Sequence, residues 1–268
     1  MPGKLNDGRH REENVQASQP ALPVISSEHA AFFFDLDGTL ASLQPEPGLV
    51  SVPESVRDNL HLLHRMSSGA VAIISGRPLA QIDALLAPLS LPAAGIHGAE
   101  RRETDGRLTR TSVDDSVLTA IGQALREGIL SLPGVVLEKK RVAFALHYRR
   151  APRHREAVKA LAQKVVELFP ALEIQSGKCV IELKPENVDK GIAIKKFMES
   201  SPFAGRIPVF LGDDLTDEQG FILVNQLQGV SVKIGEGPTQ AHYRLPNNEA
   251  VYAWIKQLLL PGAGNPHS

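Results

Sequence analysis

The hexapeptide Asp35-Leu36-Asp37-Gly38-Thr39-Leu40 directly follows the apolar run Ala30–Phe34. An apolar run of that length reads as a strand buried on both faces, as in a parallel sheet. The first polar residues after it are therefore delivered at a strand's carboxyl end, where open α/β sheets keep their ligand sites. Residues two apart on an extended backbone point the same way. Asp35 and Asp37 thus converge on one small volume, and Gly38 lets the chain turn sharply behind them. Two carboxylates held that close repel unless a hard cation or a shared proton relieves them. The arrangement suits phosphoryl transfer through an aspartyl-phosphate, which needs one nucleophile, one proton donor and a magnesium ion. Taken alone, the hexapeptide also fits a surface turn, since Asp-Gly is a common turn pair. A calcium loop is disfavoured because the alternating oxygen ligands and closing glutamate are missing.

From residue 30 the chain alternates strand-like and helix-like segments, the pattern of a doubly wound parallel sheet covered by helices, an α/β core. A helix is expected from 53 to 66, with Val56, Leu60 and Leu63 on one face. A buried strand follows at 70–74, then a helix from Pro78 carrying Ile82, Leu85 and Leu86, and a strand at 93–98. Strands at 207–211 and 230–234 and a helix near 249–260 continue the pattern. The rhythm changes between 110 and 184, where a helix followed by two strands occurs twice. The first helix is expected to bury Val117, Ile121 and Leu125. This repeat predicts an inserted α+β cap domain with four antiparallel strands, the core being 30–109 and 185–268. Alternation puts Val142, Phe144, Leu146 and Tyr148 against the cap helices. It turns His147 and Arg149, and likewise Lys178 and Glu182, to the opposite face, which would look down on the cleft.

The other chemistry-bearing motifs fall at strand ends. Ser75-Gly76-Arg77 ends the second strand, where a hydroxyl and loop amides can hold phosphate oxygens at a helix amino terminus. Thr39, Gly76 and Arg77 are counted with the phosphate-contacting residues, although a plain helix cap explains the tripeptide equally well. Asp189 is a natural N-cap, and Lys190 in the next turn opposes the helix dipole. Binding a phosphoryl group and neutralising the nucleophile would explain that lysine. Gly212-Asp213-Asp214-Leu215-Thr216-Asp217-Glu218 packs four acids into one loop, which calls for a divalent cation, for helix capping, or for both. Asp213 is the expected metal ligand, Asp214 a supporting one, and Asp217 lies in the first helical turn. In the cap, Glu138, Lys140, His147, Arg149, Lys178 and Glu182 are candidates for hydrogen bonding to a polyol, although each taken singly reads as surface charge. His97 and Glu100 flank Gly98 at a strand end and are weaker cleft candidates.

Net charge −1 and a pI near 6.8 give no basic footprint for nucleic acid and no polybasic membrane patch. One cysteine, Cys179, excludes an intrachain disulfide and suits a reducing, cytoplasmic compartment. No apolar stretch approaches a membrane span. Residues 1–29 read as a disordered extension, and no apolar patch beyond the core argues against a monomer.

Taken together, these motifs resemble the haloacid dehalogenase superfamily of phosphatases, in the usual order along the chain. The stretches His97-Gly98-Ala99-Glu100, Glu138-Lys139-Lys140 through His147-Tyr148-Arg149, Gly177-Lys178-Cys179-Val180-Ile181-Glu182 and the acidic loop from Gly212 look like the trehalose-phosphate phosphatases within it. That resemblance implies a magnesium-dependent hydrolase acting on trehalose 6-phosphate in trehalose biosynthesis. It implies Asp35 as nucleophile, Asp37 as general acid and base with its carbonyl on the metal, and Ser75 and Lys190 as phosphoryl ligands. Glu138, Lys140 and Glu182 would contact the disaccharide. The alternatives are another sugar-phosphate phosphatase, a phosphosugar mutase, or a sugar-phosphate sensor without turnover.

Overall fold

The protein is described here by a computed structural model covering residues 20–44 and 47–260. Strand β1 (Ala30–Phe34) is buried throughout, and alternation divides it. Ala30, Phe32 and Phe34 join one apolar cluster, while Ala31 and Phe33 join another on the opposite face. After β1 come α1 (Glu54–Met66), β2 (Val71–Ile74), α2 (Leu79–Leu86), β3 (Ala93–Gly95), β4 (Glu100–Arg102) and β5 (Leu108–Arg110). Then follow α3 (Asp115–Ile129), β6 (Val136–Lys139), β7 (Phe144–His147), α4 (Arg155–Leu168), β8 (Leu172–Gly177) and β9 (Val180–Pro185). The chain finishes with α5 (Lys190–Met198), β10 (Ile207–Gly212), α6 (Glu218–Gln226), β11 (Val230–Ile234), β12 (Tyr243–Leu245) and α7 (Asn248–Leu258).

The large sheet has the order β12-β11-β10-β1-β2-β3-β4-β5. It is parallel from β12 to β3, and β4 and β5 add an antiparallel edge. Helices α1, α2 and α7 cover one face through Leu60, Ile82 and Trp254, and α5 and α6 cover the other through Phe197 and Phe221. The chain leaves β1 toward β2 on one side and returns as β10 on the other, so the β1/β10 boundary is a topological switch point. There the register pairs Phe34 with Leu211, and the Asp35 amide donates to the Leu211 carbonyl at 2.9 Å. Asp35 and Asp213 therefore emerge side by side.

The second sheet, β6-β7-β9-β8, is antiparallel throughout. Phe144, Leu146, Ile181 and Leu183 pack against α3 and α4. On the other face the register aligns Glu138, Ala145, Glu182 and Gln175 in one row across the four strands.

Several expectations are corrected. In α3 the buried face is Leu118, Ile121 and Leu125, an i, i+3, i+7 stripe that leaves residue 117 at its edge, and Val117 is exposed. Val142 packs with Ile96, Ala99 and Val188, not with the helices, since the hairpin connection before β7 breaks the strand alternation there. Residues 1–19 of the expected extension lie outside the described residues, but Ile25 is buried and Leu22 packs with it against the core. The antiparallel edge was not foreseen, because β5 is wholly exposed and carries no apolar alternation.

Candidate active site

Four strand-end segments converge beneath the second sheet on a cleft of about 510 Å³. At its floor the buried Lys190 ammonium donates to Asp35 at 2.7 Å and to Asp217 at 2.6 Å. Lys190 reaches that point because Asp189 caps α5, accepting from the Ile192 amide at 2.8 Å. The first turn of α5 is thereby aimed at the end of β1.

One carboxylate oxygen from each of Asp35, Asp213 and Asp217 lies within 4.8 Å of the others. Gly38, at φ +83°, makes this closeness possible, since a Cβ there would fall 2.1 Å from an Asp213 carboxylate oxygen. Burial drives the Asp35 carboxyl well above its ordinary range; Lys190 opposes the shift, and Asp217, Asp213 and Asp37 add to it. Asp213 is pushed up to about 7, by burial and then by Asp217 and Asp214. Burial works against the Lys190 ammonium, but Asp217 and Asp35 outweigh it and hold the lysine charged far past the usual range. Ionising all three acids around one ammonium would leave an excess of negative charge in a desolvated pocket, which is why their carboxyls resist ionisation without a cation. Hard oxygen donors in that arrangement fit a small divalent cation such as Mg²⁺.

Beside this cluster, Arg77 grips Asp37 with two hydrogen bonds of 2.7 Å. Arg77, expected on the substrate, is thus committed to the second aspartate of the hexapeptide. Its own amide donates to the Ser75 hydroxyl at 3.1 Å. Ser75 and Thr39 are both buried and do not line the cleft, and Thr39 Oγ1 has no partner among the described residues. Gly76, Arg77, Asp37 and Lys190 do line it.

Asp214 lines the cleft but is not one of the triad. Its carboxylate caps the turn at Leu215–Asp217, accepting from the Leu215 amide at 2.8 Å, and accepts from the Lys178 amide of the upper sheet at 3.4 Å. It lies outside the acidic triad, whose third member is Asp217, fully buried within that turn. The spacing Asp214-x-x-Asp217, which allows a reciprocal cap, is the one signal in the sequence that could have set the two apart.

The roof carries the residues expected to meet a polyol. Glu182, in the central row of the upper sheet, pairs with Lys140 and accepts from His97 Nε2 at 2.5 Å. Burial would raise Glu182, but His97 and Lys140 hold it far below the usual carboxylate range. Glu138 and His147, diagonal neighbours across β6 and β7, bond at 2.8 Å, which lowers the Glu138 pKa. Arg149 and Lys178 line the cleft as well. His97 belongs to this set, and Glu100 does not. Glu100 instead accepts from the Leu79 amide at 3.1 Å and so caps α2, which has no cap of its own.

A profile of the family described as trehalose-phosphatase matches residues 33–249. The trehalose-6-phosphate phosphatase of Escherichia coli (strain K12) is 48% identical over 236 residues, 88% of each chain. Among solved structures, the C-terminal domain of C. albicans trehalose-6-phosphate phosphatase superposes with a TM-score of 0.78 at 22% identity, over 87% of this chain and 93% of that one. A haloacid dehalogenase-like hydrolase from Bacteroides thetaiotaomicron gives a TM-score of 0.62 at 14% identity, over 85% of this chain and 98% of that one. At such identities these two likenesses speak for the fold. The fold is thus of the haloacid dehalogenase type. Within that class, the chain belongs to the trehalose-phosphatase family.

Proposed function

We propose that this protein hydrolyses trehalose 6-phosphate to trehalose and inorganic phosphate through an aspartyl-phosphate on Asp35. The observation that carries the reading is one cleft with two unlike walls. Its floor holds the Asp35, Lys190, Asp213 and Asp217 cluster, and its roof is a sheet face bearing Glu138, His147, Lys140 and Glu182. The floor suits a phosphoryl group, and the roof supplies the paired donors and acceptors that sugar hydroxyls need. The segment from about 110 to 184 is read as the cap over a core of 30–109 and 185–268.

Asp35 attacks phosphorus in line while Lys190 fixes its carboxylate and shares the negative charge. Asp35, Asp213 and the Asp37 carbonyl would hold a Mg²⁺ ion, with Asp217 in support, and the ion would supply charge neutralisation to the ester when bound. Asp37 protonates the departing sugar oxygen and then takes a proton from the water that releases phosphate. Such acid–base assistance typically contributes about 10²–10⁴-fold. Both Asp37 oxygens are occupied by Arg77, so proton transfer requires Arg77 to release one of them. The incoming phosphate dianion is the group that draws the guanidinium away, which restores Arg77 to the substrate-binding role expected of it. Ser75 and Thr39 act from beneath the loop. The protein is read as a monomer acting on a small solute in the cytoplasm; no helix of the described residues is long and apolar enough to cross a membrane.

Phosphate release from a panel of sugar phosphates, with magnesium and with a chelator, tests the reading. Trehalose 6-phosphate is expected to be turned over at least about tenfold faster than the others at low concentration, since leaving the roof's buried polar groups unpaired is costly. Equal rates across the panel, or turnover indifferent to chelator, would overturn it.

A further inference from the structure

Among the groups that join the lower and upper walls of the cleft, His97 is one that the proposed chemistry does not use. His97 follows β3 with φ 55°, ψ 18°, and Ile96 before it is also left-handed at φ 48°. Two consecutive non-glycine residues in that region are strained. What holds the turn is its stitching to the loop after β2: the His97 amide donates to the Ser75 carbonyl at 2.9 Å, and the Ile96 amide to the Arg77 carbonyl at 3.0 Å. The imidazole lies against Gly76, where a Cβ would come within 2.8 Å of the ring. From this fixed base Nε2 crosses to the upper sheet and meets Glu182 at 2.5 Å. Lys140 closes the circuit, bonding Glu182 and donating to the Gly76 carbonyl at 2.9 Å.

Burial lowers the His97 pKa, more than Glu182 raises it. Nδ1 has no partner among the described residues, which a second N–H could not tolerate at such burial. The ring is therefore neutral and carries its proton on Nε2, donating to the carboxylate. Glu182 keeps its remaining lone pairs for the cleft, in a fixed orientation.

We infer that His97 is a positioning residue for sugar recognition: it ties the disaccharide-facing carboxylate Glu182 to the loop that faces the phosphate, so that its imidazole, together with the Lys140 bridge, sets the distance between phosphate site and sugar site. This rests on the function proposed above and adds the device that measures the substrate's length. A phosphate ester lacking the second sugar gains nothing from that spacing.

The test uses the full chain with trehalose 6-phosphate and p-nitrophenyl phosphate, in H97L, H97Q, E182A and the double variant H97L/E182A. Melting curves establish that each is folded. H97L is expected to lower the ratio of kcat/KM for the sugar substrate over the aryl substrate by about tenfold, mostly through KM, as fits loss of one hydrogen bond to a charged group. H97Q, whose amide nitrogen reaches the place of Nε2, should recover most of that ratio. In the E182A background the His97 change should alter the ratio less than about twofold, because the two residues act as one unit. Equal losses on both substrates, no rescue by glutamine, or additive effects in the double variant would each overturn the inference. Failure of the underlying function is seen separately, as unmutated enzyme that cleaves the aryl ester but not the sugar phosphate.

Discussion

At the scale of single residues, the acidic loop after β10 separates two neighbours that look alike in sequence. Asp217 is wholly buried, holds Lys190 at 2.6 Å and accepts from the Asp214 amide at 2.9 Å. Asp214 stands at the rim and caps a turn. Asp217→Asn removes one of the two anions that keep Lys190 in place and one wall of the acidic triad. Outer partners of a metal site typically contribute about 10–100-fold to activity or affinity, so kcat/KM should fall in that range. The magnesium concentration for half-maximal rate should rise with it. Asp214→Asn keeps a good capping side chain and should change kcat/KM by less than about threefold. Steady-state kinetics against magnesium concentration distinguish the two, and equal losses would return Asp214 to the metal. The difference was hidden in the sequence because burial, not residue type, separates these aspartates. Asp35 and Lys190 were legible for the opposite reason: each sits next to an element boundary that local chemistry announces, an apolar strand in one case and an N-cap in the other.

At the scale of elements, what could be read depended on whether a segment is buried on both faces. β1, β2, β10 and β11 are short apolar runs and were placed to within a residue or two. β4 and β5 are polar edge strands that owe their conformation to pairing with β3, which no local pattern encodes. The cap face was legible through alternation alone, since Glu182 and Lys184 share one side of β9 and Ile181 and Leu183 the other. Lys184 has a further use that alternation does not reveal. Its ammonium is buried and bonds both Glu173 on β8 and the carbonyl of Val188. Val188 stands two residues before Lys190, so this contact pins the connection that returns from the upper sheet to the catalytic lysine. Lys184→Met keeps an unbranched stem one atom shorter and leaves a buried carbonyl without a donor, a loss of about 1–3 kcal/mol. For a chain of this size that corresponds to a fall in Tm of about 2–4 °C per kcal/mol. Calorimetry should show it, together with a lower kcat as Lys190 loses its support. An unchanged Tm would mean that the connection is held by the Val188 side chain in its apolar pocket instead.

At the scale of the whole molecule, the near-neutral net charge of −1 conceals a strongly uneven distribution. The excess acid is concentrated where the two halves of the large sheet meet, at the end of β1 and β10, beneath a second sheet that shields it from water. Self-repulsion there opposes folding, and the same burial that pushes Asp213 up to about 7 keeps mobile salt from screening it. A divalent cation that binds only the folded arrangement of Asp35, Asp213 and Asp217 should therefore stabilise the entire fold. Binding at 100 times its dissociation constant contributes about 2.7 kcal/mol, or roughly 5–10 °C in Tm for a chain this long. Chelator-treated protein should melt lower by that amount and recover on addition of magnesium. Sodium chloride at matched ionic strength should not substitute, because screening reaches exposed charges and not this cluster. In Asp213→Asn the magnesium-dependent part of the shift should vanish, while the starting Tm rises through relief of repulsion. Melting curves for the two proteins across a magnesium series decide the matter: parallel responses would place the cation elsewhere, and a flat response in both would remove it from the fold's energetics altogether.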